Sequence, residues 1–176
     1  MIRIRVATSL DSKAVREVHL DAFPEGEKQK VSTLAANLLS EETNPKTISL
    51  VAEVDDAIVG HVAFSPVTIN DKRWLGYILA PLGVRSDYQK RQIGSTLIES
   101  GMARLSKLGV DVVFVYGDPQ YYGKFGFNTD VAFRYSPPYE LRYPAGWQAI
   151  SLHKNILASE SVKLSCVVPL RDPELW

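Results

Sequence analysis

A change of hydrophobic period in the middle of the chain constrains the fold most strongly. Three consecutive segments, Thr47–Val54, Ala57–Ile69 and Arg73–Val84, are rich in the β-branched and aromatic residues typical of strands. Asp55-Asp56 and Asn70-Asp71 separate these segments, and both are residue pairs that favour tight turns. We therefore predict a meander of antiparallel strands over this region.

An amphipathic helix and a second buried strand follow the meander. Residues 92–108 carry apolar side chains at helical spacing, and Gly109 stands where a helix commonly stops. Val110–Tyr116 is almost continuously apolar, as expected of a strand covered on both faces. This succession predicts a right-handed crossover between two strands. Because Pro81 has no N–H to donate, we expect a bulge or an interrupted ladder in the first of these strands. The apolar stripe of the helix consists of Ile93, Leu97, Ile98, Met102, Leu105 and Leu108.

The N-terminal region predicts one strand and two helices. The stretch MIRIRVA alternates basic and apolar residues, which indicates a first strand and not a signal peptide. Thr8 and Asp11 have the spacing of a capping box, and the helix that follows should end before Pro24. A second stripe of apolar residues at helical spacing ends before Asn44-Pro45. The two stripes are Ala14, Val15, Val18 and Ala22, and then Val31, Leu34, Ala35 and Leu38.

The C-terminal part continues the same mixed pattern. We predict a short helix around Pro119–Phe125 and strands near Val131–Tyr135 and Val162–Val168. Residues 136–149 are rich in proline and aromatic residues, which predicts an ordered surface loop. The whole chain, 1–176, is expected to form a single α/β domain with a mixed, mostly antiparallel central sheet flanked by helices.

Composition excludes several classes of protein. Twenty basic residues balance twenty acidic ones, whereas proteins that bind the nucleic-acid backbone usually have a basic excess. The lone Cys166 excludes a disulfide framework and suits a buried thiol in a strand. His19, His61 and His153 lie far apart in sequence, so we expect packing or surface roles and no metal site. No apolar stretch has the length of a membrane span, and we expect a cytoplasmic protein without membrane partners.

The segment from Leu82 to Ser95 is the strongest candidate for a ligand site. A strand ends there, and Lys90 and Arg91 precede a long helix whose first N–H groups and dipole favour an anion such as a pyrophosphate. The same residues fit equally well an ordinary helix start whose charges are solvated and bind no ligand. Gly117–Lys124 resembles a P-loop, but it has one residue too many, and Phe125 stands where Ser or Thr is required.

Two motifs resemble those of the GNAT (general N-acetyltransferase) superfamily. Gln89-Lys90-Arg91-Gln92-Ile93-Gly94 is similar to its motif A, Gln/Arg-x-x-Gly-x-Gly/Ala, with Gln92 in place of the first glycine. A side chain at that position requires a backbone angle that a β-carbon tolerates, so we expect the loop to lie slightly differently. Gly117–Phe127 resembles the superfamily's Tyr-x-x-x-Gly-Phe signature, with Tyr122 as its tyrosine. Its DPxYYxxFGF form is similar to that of a bacterial subgroup with mostly unassigned substrates.

The resemblance implies that the cofactor is acetyl-CoA and that the reaction is direct attack of a neutral amine on the thioester. The pyrophosphate of acetyl-CoA would lie on residues 89–95, and its pantetheine arm would lie along the main chain of Leu82–Val84. A bulge at Pro81 would splay the strand from Val110–Tyr116, and an N–H near Leu82 would polarise the thioester carbonyl. The cofactor-binding residues implied are Leu82, Gly83, Val84, Gln89, Lys90, Arg91, Gln92, Ile93, Gly94 and Ser95.

Tyr122 is the implied catalytic residue, as the proton donor to the departing thiolate. The alternative is a tyrosine that packs over the cofactor by its ring alone, and the neighbouring Tyr121 corresponds to a packing position. The base for the amine stays open among a water chain and four side chains. These are Glu25, Glu27, His61 and Asp118.

The acceptor and the partners are less constrained. Residues 23–30 and 136–149 would wall the acceptor pocket of a small-molecule or protein amine, and the aromatic loop could instead form a homodimer surface. An acyl-CoA-binding regulatory module without turnover is the leading alternative function. RNA or protein binding through the basic turn is disfavoured by the zero net charge.

Overall fold

The computed structural model describes residues 1–69, 73–153 and 161–176. The predicted turn at Asn70-Asp71 therefore lies outside the described residues. Within them, the helices are α1 Ser12–Ala22, α2 Lys28–Ser40, α3 Ile93–Lys107, α4 Pro119–Tyr122 and α5 Thr129–Ala132. The strands are β1 Arg3–Val6, β2 Ile48–Val54, β3 Ala57–Ile69, β4 Arg73–Val84, β5 Val112–Tyr116, β6 Tyr135–Ser136, β7 Trp147–Ser151 and β8 Val162–Ser165.

The strands form a mixed sheet in the order β1-β2-β3-β4-β5-β7, and β8 pairs with both β3 and β6. The β1–β2, β2–β3, β3–β8 and β5–β7 ladders are antiparallel, whereas β4 and β5 pair in parallel. This arrangement confirms the predicted mixed, mostly antiparallel sheet flanked by helices. Across the described ranges, no helix is long and apolar enough to span a bilayer.

Two compact units make up the described chain. The first contains Met1–Phe64 and Pro81–Ala103, and the second contains Ser65–Ala80 and Arg104–Trp176.

In the first unit, α1 and α2 pack against each other and cover a core that includes Val15, Ala35 and Val51. The predicted capping box is confirmed, since the Thr8 N–H donates to Asp11 Oδ2 at 2.7 Å at the turn that leads into α1. Arg5 bridges Asp11 and Glu53 at 2.7 Å each, which ties β1 to this turn and to β2.

Helix α3 begins one residue later than predicted, because Gln92 has a left-handed φ of +62°. Ile93, Leu97 and Ile98 are buried, as expected for the apolar stripe. Leu108 is 65% exposed, which corrects its place in that stripe. It follows the last helical residue, and the chain turns at Gly109 with φ +79°.

In the second unit, β5 is buried between β4 and β7, as its apolar sequence predicts. The parallel ladder joins Tyr77–Leu79 to Val113–Val115 and stops ahead of Pro81. This extent agrees with the interruption expected from a residue that lacks an N–H. Cys166 is buried, and burial raises the pKa of its thiol to about 12.

Two predictions for the C-terminal region were wrong. Residues 147–149 of the expected surface loop belong instead to β7, which pairs with β5 and buries Trp147 and Ala149. Only Tyr135 of the strand expected near Val131–Tyr135 lies in a strand, β6, whereas Val131 and Ala132 belong to helix α5. The Asn128 side chain caps this helix by accepting a hydrogen bond from Val131 N at 2.9 Å.

Candidate functional site

In the first unit, the segment after β4 forms a tight turn that leads into α3. Ser86–Tyr88 make one 3-10 turn, and then Lys90 and Gln92 adopt left-handed φ angles of +60° and +62°. The first helical hydrogen bond runs from Thr96 N to Gln92 O at 3.0 Å. The N–H groups that precede it in the first turn have no acceptor within the helix, so they are available to an anion.

The conformation of Gln92 corrects the sequence-based expectation. Gln92 does not shift to an angle that suits a β-carbon but keeps the left-handed angle that favours glycine. Thr96 holds it there, because its N–H and its Oγ1 both donate to Gln92 O, at 3.0 and 2.8 Å. The loop therefore retains the geometry of a glycine-containing turn despite the substitution.

This conformation predicts that Gln92→Gly stabilises the fold. Relief of the left-handed penalty is worth about 1–2 kcal/mol, and the added freedom of the unfolded chain offsets about 0.4–1 kcal/mol of it. The matched control is Gln89→Gly, since Gln89 has an ordinary φ of −68° and donates from Nε2 to Val84 O at 3.0 Å. Urea unfolding should show a higher midpoint for Gln92→Gly and a lower one for Gln89→Gly. Equal losses in both variants would contradict the argument.

The side chains of this turn supply positive charge to the same surface. Lys90 and Arg91 are exposed, and the Arg91 guanidinium lies over the Tyr88 ring at 5.2 Å from its centroid. Gly94 and Ser95 are half-buried at the start of α3, while the Ile93 side chain is buried in the core. The residues from 89 to 95 thus form one continuous turn, to which Ile93 can offer only its main chain.

The strand that precedes the turn is held by the end of α1. Gly83 is buried, and a β-carbon at this position would lie 2.6 Å from His19 Nδ1. Ser86 N donates to Asp21 Oδ2 at 2.6 Å, and this bond lowers the pKa of the Asp21 carboxyl. Leu82 and Val84 are half-buried on either side of Gly83.

A buried pair of histidines lies beside this strand. His19 Nε2 and His61 Nδ1 are 2.8 Å apart, and neither side chain is exposed. His19 Nδ1 and His61 Nε2 have no hydrogen-bond partner among the described residues, so in the neutral pair one of these atoms carries an unpaired N–H and the other an unpaired lone pair. Burial lowers the pKa of His19 to about 4, and burial followed by the charge of His19 lowers that of His61 well below its usual value.

The sequence did not predict this pair, because its members lie on α1 and β3 and only the fold brings them together. Packing roles are confirmed for both, whereas His153 is exposed, with Nε2 3.2 Å from Ser106 O. The described part of the chain holds no cluster of three or more residues with metal-ligand side chains.

In the second unit, Tyr122 ends α4 in an aromatic cluster. Its ring lies edge-on to Tyr121 and Phe127, with centroids 5.0 and 5.9 Å away, and a β-carbon on Gly117 would lie 2.5 Å from Tyr122 Cε2. Burial, with smaller contributions from Tyr121 and Asp118, raises the pKa of the Tyr122 hydroxyl. This hydroxyl is therefore protonated near neutral pH and can donate a hydrogen bond.

The structure singles out no base among the four candidate side chains. Asp118 caps α4 by accepting from Gln120 N at 2.9 Å, and Glu25 is paired with Lys28 at 2.6 Å. His61 is fully buried, and Glu27 is exposed at the start of α2.

Comparison with known proteins assigns this chain to a protein family. The model of the acetyltransferase (GNAT) domain matches residues 3–129. The uncharacterized N-acetyltransferase YjhQ of Escherichia coli K12 is 34% identical over 147 residues, which cover 81% of this chain and 80% of YjhQ. The uncharacterized N-acetyltransferase YhbS of the same organism is 38% identical over 85 residues, which cover 47% of this chain and 50% of YhbS.

Solved structures share the fold over most of the chain. The crystal structure of E. coli YhbS in complex with CoA has a TM-score of 0.78 at 24% identity and covers 93% of this chain and 88% of its own. A GNAT family acetyltransferase from Brucella melitensis in complex with acetyl-CoA has a TM-score of 0.70 at 27% identity, over 96% and 97% of the two chains. The domain match over 3–129 and the similarity to YjhQ show that this chain belongs to the GNAT acetyltransferase family.

Proposed function

We propose that this protein transfers the acetyl group of acetyl-CoA to an amine without a covalent enzyme intermediate. The observation that carries the proposal is the turn from Gln89 to Ser95, in which two exposed cations precede a long helix whose first N–H groups have no acceptor within the helix. Membership of an acetyltransferase family supports it, as do similar proteins crystallised with CoA and with acetyl-CoA.

The donor set of this turn fits a pyrophosphate. Main-chain N–H groups and a helix dipole stabilise a compact anion. Lys90 and Arg91 add positive side-chain charge that attracts the same anion. Gln89, Gln92, Ile93, Gly94 and Ser95 would contribute through the main chain of the turn. When bound, acetyl-CoA supplies an activated thioester.

The strand Leu82–Val84 would bind the pantetheine arm through its main chain. The absence of a side chain on Gly83 lets His19 of α1 approach the strand closely, which fixes its position. A preorganised N–H near Leu82 would stabilise negative charge on the thioester oxygen as the amine attacks.

Tyr122 would stabilise the departing thiolate. Its hydroxyl has a raised pKa, so complete proton transfer to a thiolate of pKa about 8.5 is uphill, and the role is donation of a hydrogen bond. No described residue is hydrogen-bonded to this hydroxyl, which leaves it free for the sulfur.

Calorimetric titration with acetyl-CoA, with ATP and NAD as controls, tests the cofactor half of the proposal. We expect selective binding that weakens by about tenfold or more in the double variant Lys90→Glu/Arg91→Glu, since two attractive charges become repulsive. The matched control is Arg104→Glu/Lys107→Glu, which makes the same charge change in the last turn of α3. Equal affinity in the first double variant and the wild type would refute this phosphate site.

A second candidate function is acyl-CoA binding without turnover. This function is favoured because three of the candidate bases are poorly placed to accept a proton from the amine. Asp118 and Glu25 already form structural bonds, and His61 is buried. Release of free thiol from acetyl-CoA in the presence of a panel of amines separates the two functions. Binding without thiol release for any amine would favour the regulatory module.

A further inference from the structure

A cleft of about 690 Å³ lies within the second unit, in the size range of small-molecule sites. The segment from Thr129 to Trp147 forms most of its lining, and Lys163 of β8 completes it. The reaction proposed above gives the charged side chains of this cleft no role.

The floor of the cleft is a fixed aromatic surface. Trp147 is buried, donates from Nε1 to Tyr135 O at 2.7 Å and stacks on Phe114 with ring centroids 5.3 Å apart. Tyr135 is also buried and meets the same Phe114 ring edge-on at 5.1 Å. Because these rings are locked by their neighbours, the base of the cleft is rigid, and a ligand seated in the cleft costs the protein little side-chain entropy.

The rim of the cleft exposes apolar surface that the fold does not cover. Phe133 is 83% exposed, and Tyr139 and Leu141 are half-buried. Prolines 137, 138 and 144 restrict the backbone around them. An aromatic or large aliphatic group seated here would remove apolar surface from water on both partners.

Two opposite charges line the same cleft. Glu140 and Lys163 are both exposed, and no described residue forms a salt bridge with either. A ligand ammonium would gain from the Glu140 carboxylate and from the aromatic faces, and a ligand carboxylate would gain from Lys163. One molecule that carries both groups next to an apolar side chain satisfies all of these surfaces.

We infer that this cleft binds the zwitterion of an α-amino acid with an aromatic or large apolar side chain. The ammonium lies at Glu140, the carboxylate at Lys163 and the side chain on the aromatic surface. That the bound amino acid is the acetyl acceptor rests on the proposed function. In that reaction the C–N bond forms and the C–S bond breaks, while the ammonium loses two protons, one to the sulfur and one to solvent. Acetylation removes the positive charge that Glu140 recognises, so the product should bind more weakly than the substrate.

Calorimetric titration of the full chain without acetyl-CoA tests the binding site. The probes are L-phenylalanine, phenethylamine without a carboxylate, 3-phenylpropanoate without an ammonium, L-alanine without a ring, and N-acetyl-L-phenylalanine. We expect L-phenylalanine to bind best and each other probe to bind about tenfold more weakly or worse. No binding of L-phenylalanine at millimolar concentration, or equal binding of alanine, overturns the inference.

Variants of the two exposed charged residues test which group of the ligand each of them binds. Glu140→Gln and Lys163→Met should each weaken L-phenylalanine binding about tenfold, and only Glu140→Gln should spare 3-phenylpropanoate. The matched controls are Glu99→Gln and Lys107→Met, which are exposed and do not line the cleft. Loss of affinity in the controls, or none in the cleft variants, overturns the assignment.

Thiol release from acetyl-CoA with L-phenylalanine as acceptor tests the link to the proposed function. A rate of thiol release that is lower in Glu140→Gln than in the wild type supports both the cleft and the proposed function. Bound L-phenylalanine with no bound acetyl-CoA keeps the cleft and refutes the proposed function, whereas turnover of other amines without L-phenylalanine binding refutes the cleft alone.

Discussion

Replacement of Tyr122 by phenylalanine is expected to lower kcat about 100-fold while the affinity for acetyl-CoA stays within about twofold of the wild type. The variant removes one hydroxyl from a ring that packs against Tyr121, Phe127 and Gly117, so the cluster keeps its shape. The variant would lose only the proposed hydrogen bond to the departing thiolate, which would form in the transition state and not in the bound cofactor. Steady-state thiol release together with calorimetry measures both quantities. Unchanged kcat would leave Tyr122 as a packing residue.

A pair of glycine variants controls for the position of the ring. Gly117→Ala places a β-carbon 2.5 Å from Tyr122 Cε2, so the rigid ring must move, and we expect a kcat loss similar to that of Tyr122→Phe. Gly123→Ala follows Tyr122 directly, yet its β-carbon would have no heavy atom within 4 Å, so its kcat should stay near that of the wild type. Equal losses in the two glycine variants would indicate a general effect on this segment and not on the hydroxyl.

The alternation and turn residues of the sequence were enough to predict the elements from β1 to β5. These elements obey local rules: the Thr8–Asp11 capping box, the Asp55-Asp56 turn at positive φ and the apolar stripe of α3 each depend on neighbours in the chain. The family resemblance added the prediction that the turn between β4 and α3 binds the cofactor, because a short motif marks this place in the sequence.

Features that depend on distant residues were not predictable in the same way. Strand β7 is short and follows a proline-rich stretch, and it is stabilised as a strand by its ladder with β5 and by the bridge between Ala149 and Asn128. His19 and His61 are 42 positions apart, and nothing in either local sequence indicates their hydrogen bond. The left-handed angle of Gln92 is a local feature, since the N–H and Oγ1 of Thr96, four residues on, both donate to its carbonyl, but residue preference alone indicates an ordinary angle.

The buried histidine pair predicts a loss of stability in mild acid. His19 has a pKa of about 4 in the folded protein and an ordinary value of 6.5, so between these limits the unfolded chain binds a proton that the folded chain does not. The free energy of unfolding should therefore fall as the pH drops from about 6.5 towards 4, by up to about 3 kcal/mol for His19 alone. The lowered pKa of His61 acts in the same direction.

Urea unfolding at several pH values between 7.5 and 4.5 measures this dependence. The window lies above the acid range of Asp11, whose pKa of about 2, lowered by its bond to Arg5, affects stability only below its ordinary value of 3.8. His19→Gln should flatten the dependence, because an amide does not titrate and its terminal group can still meet His61 Nδ1. His153→Gln, at an exposed position, should retain the wild-type dependence. If the wild-type stability were constant across this window, the two buried rings would have to be open to protonation in the folded state, and the closed packing of α1 on β3 and on Gly83 would be wrong.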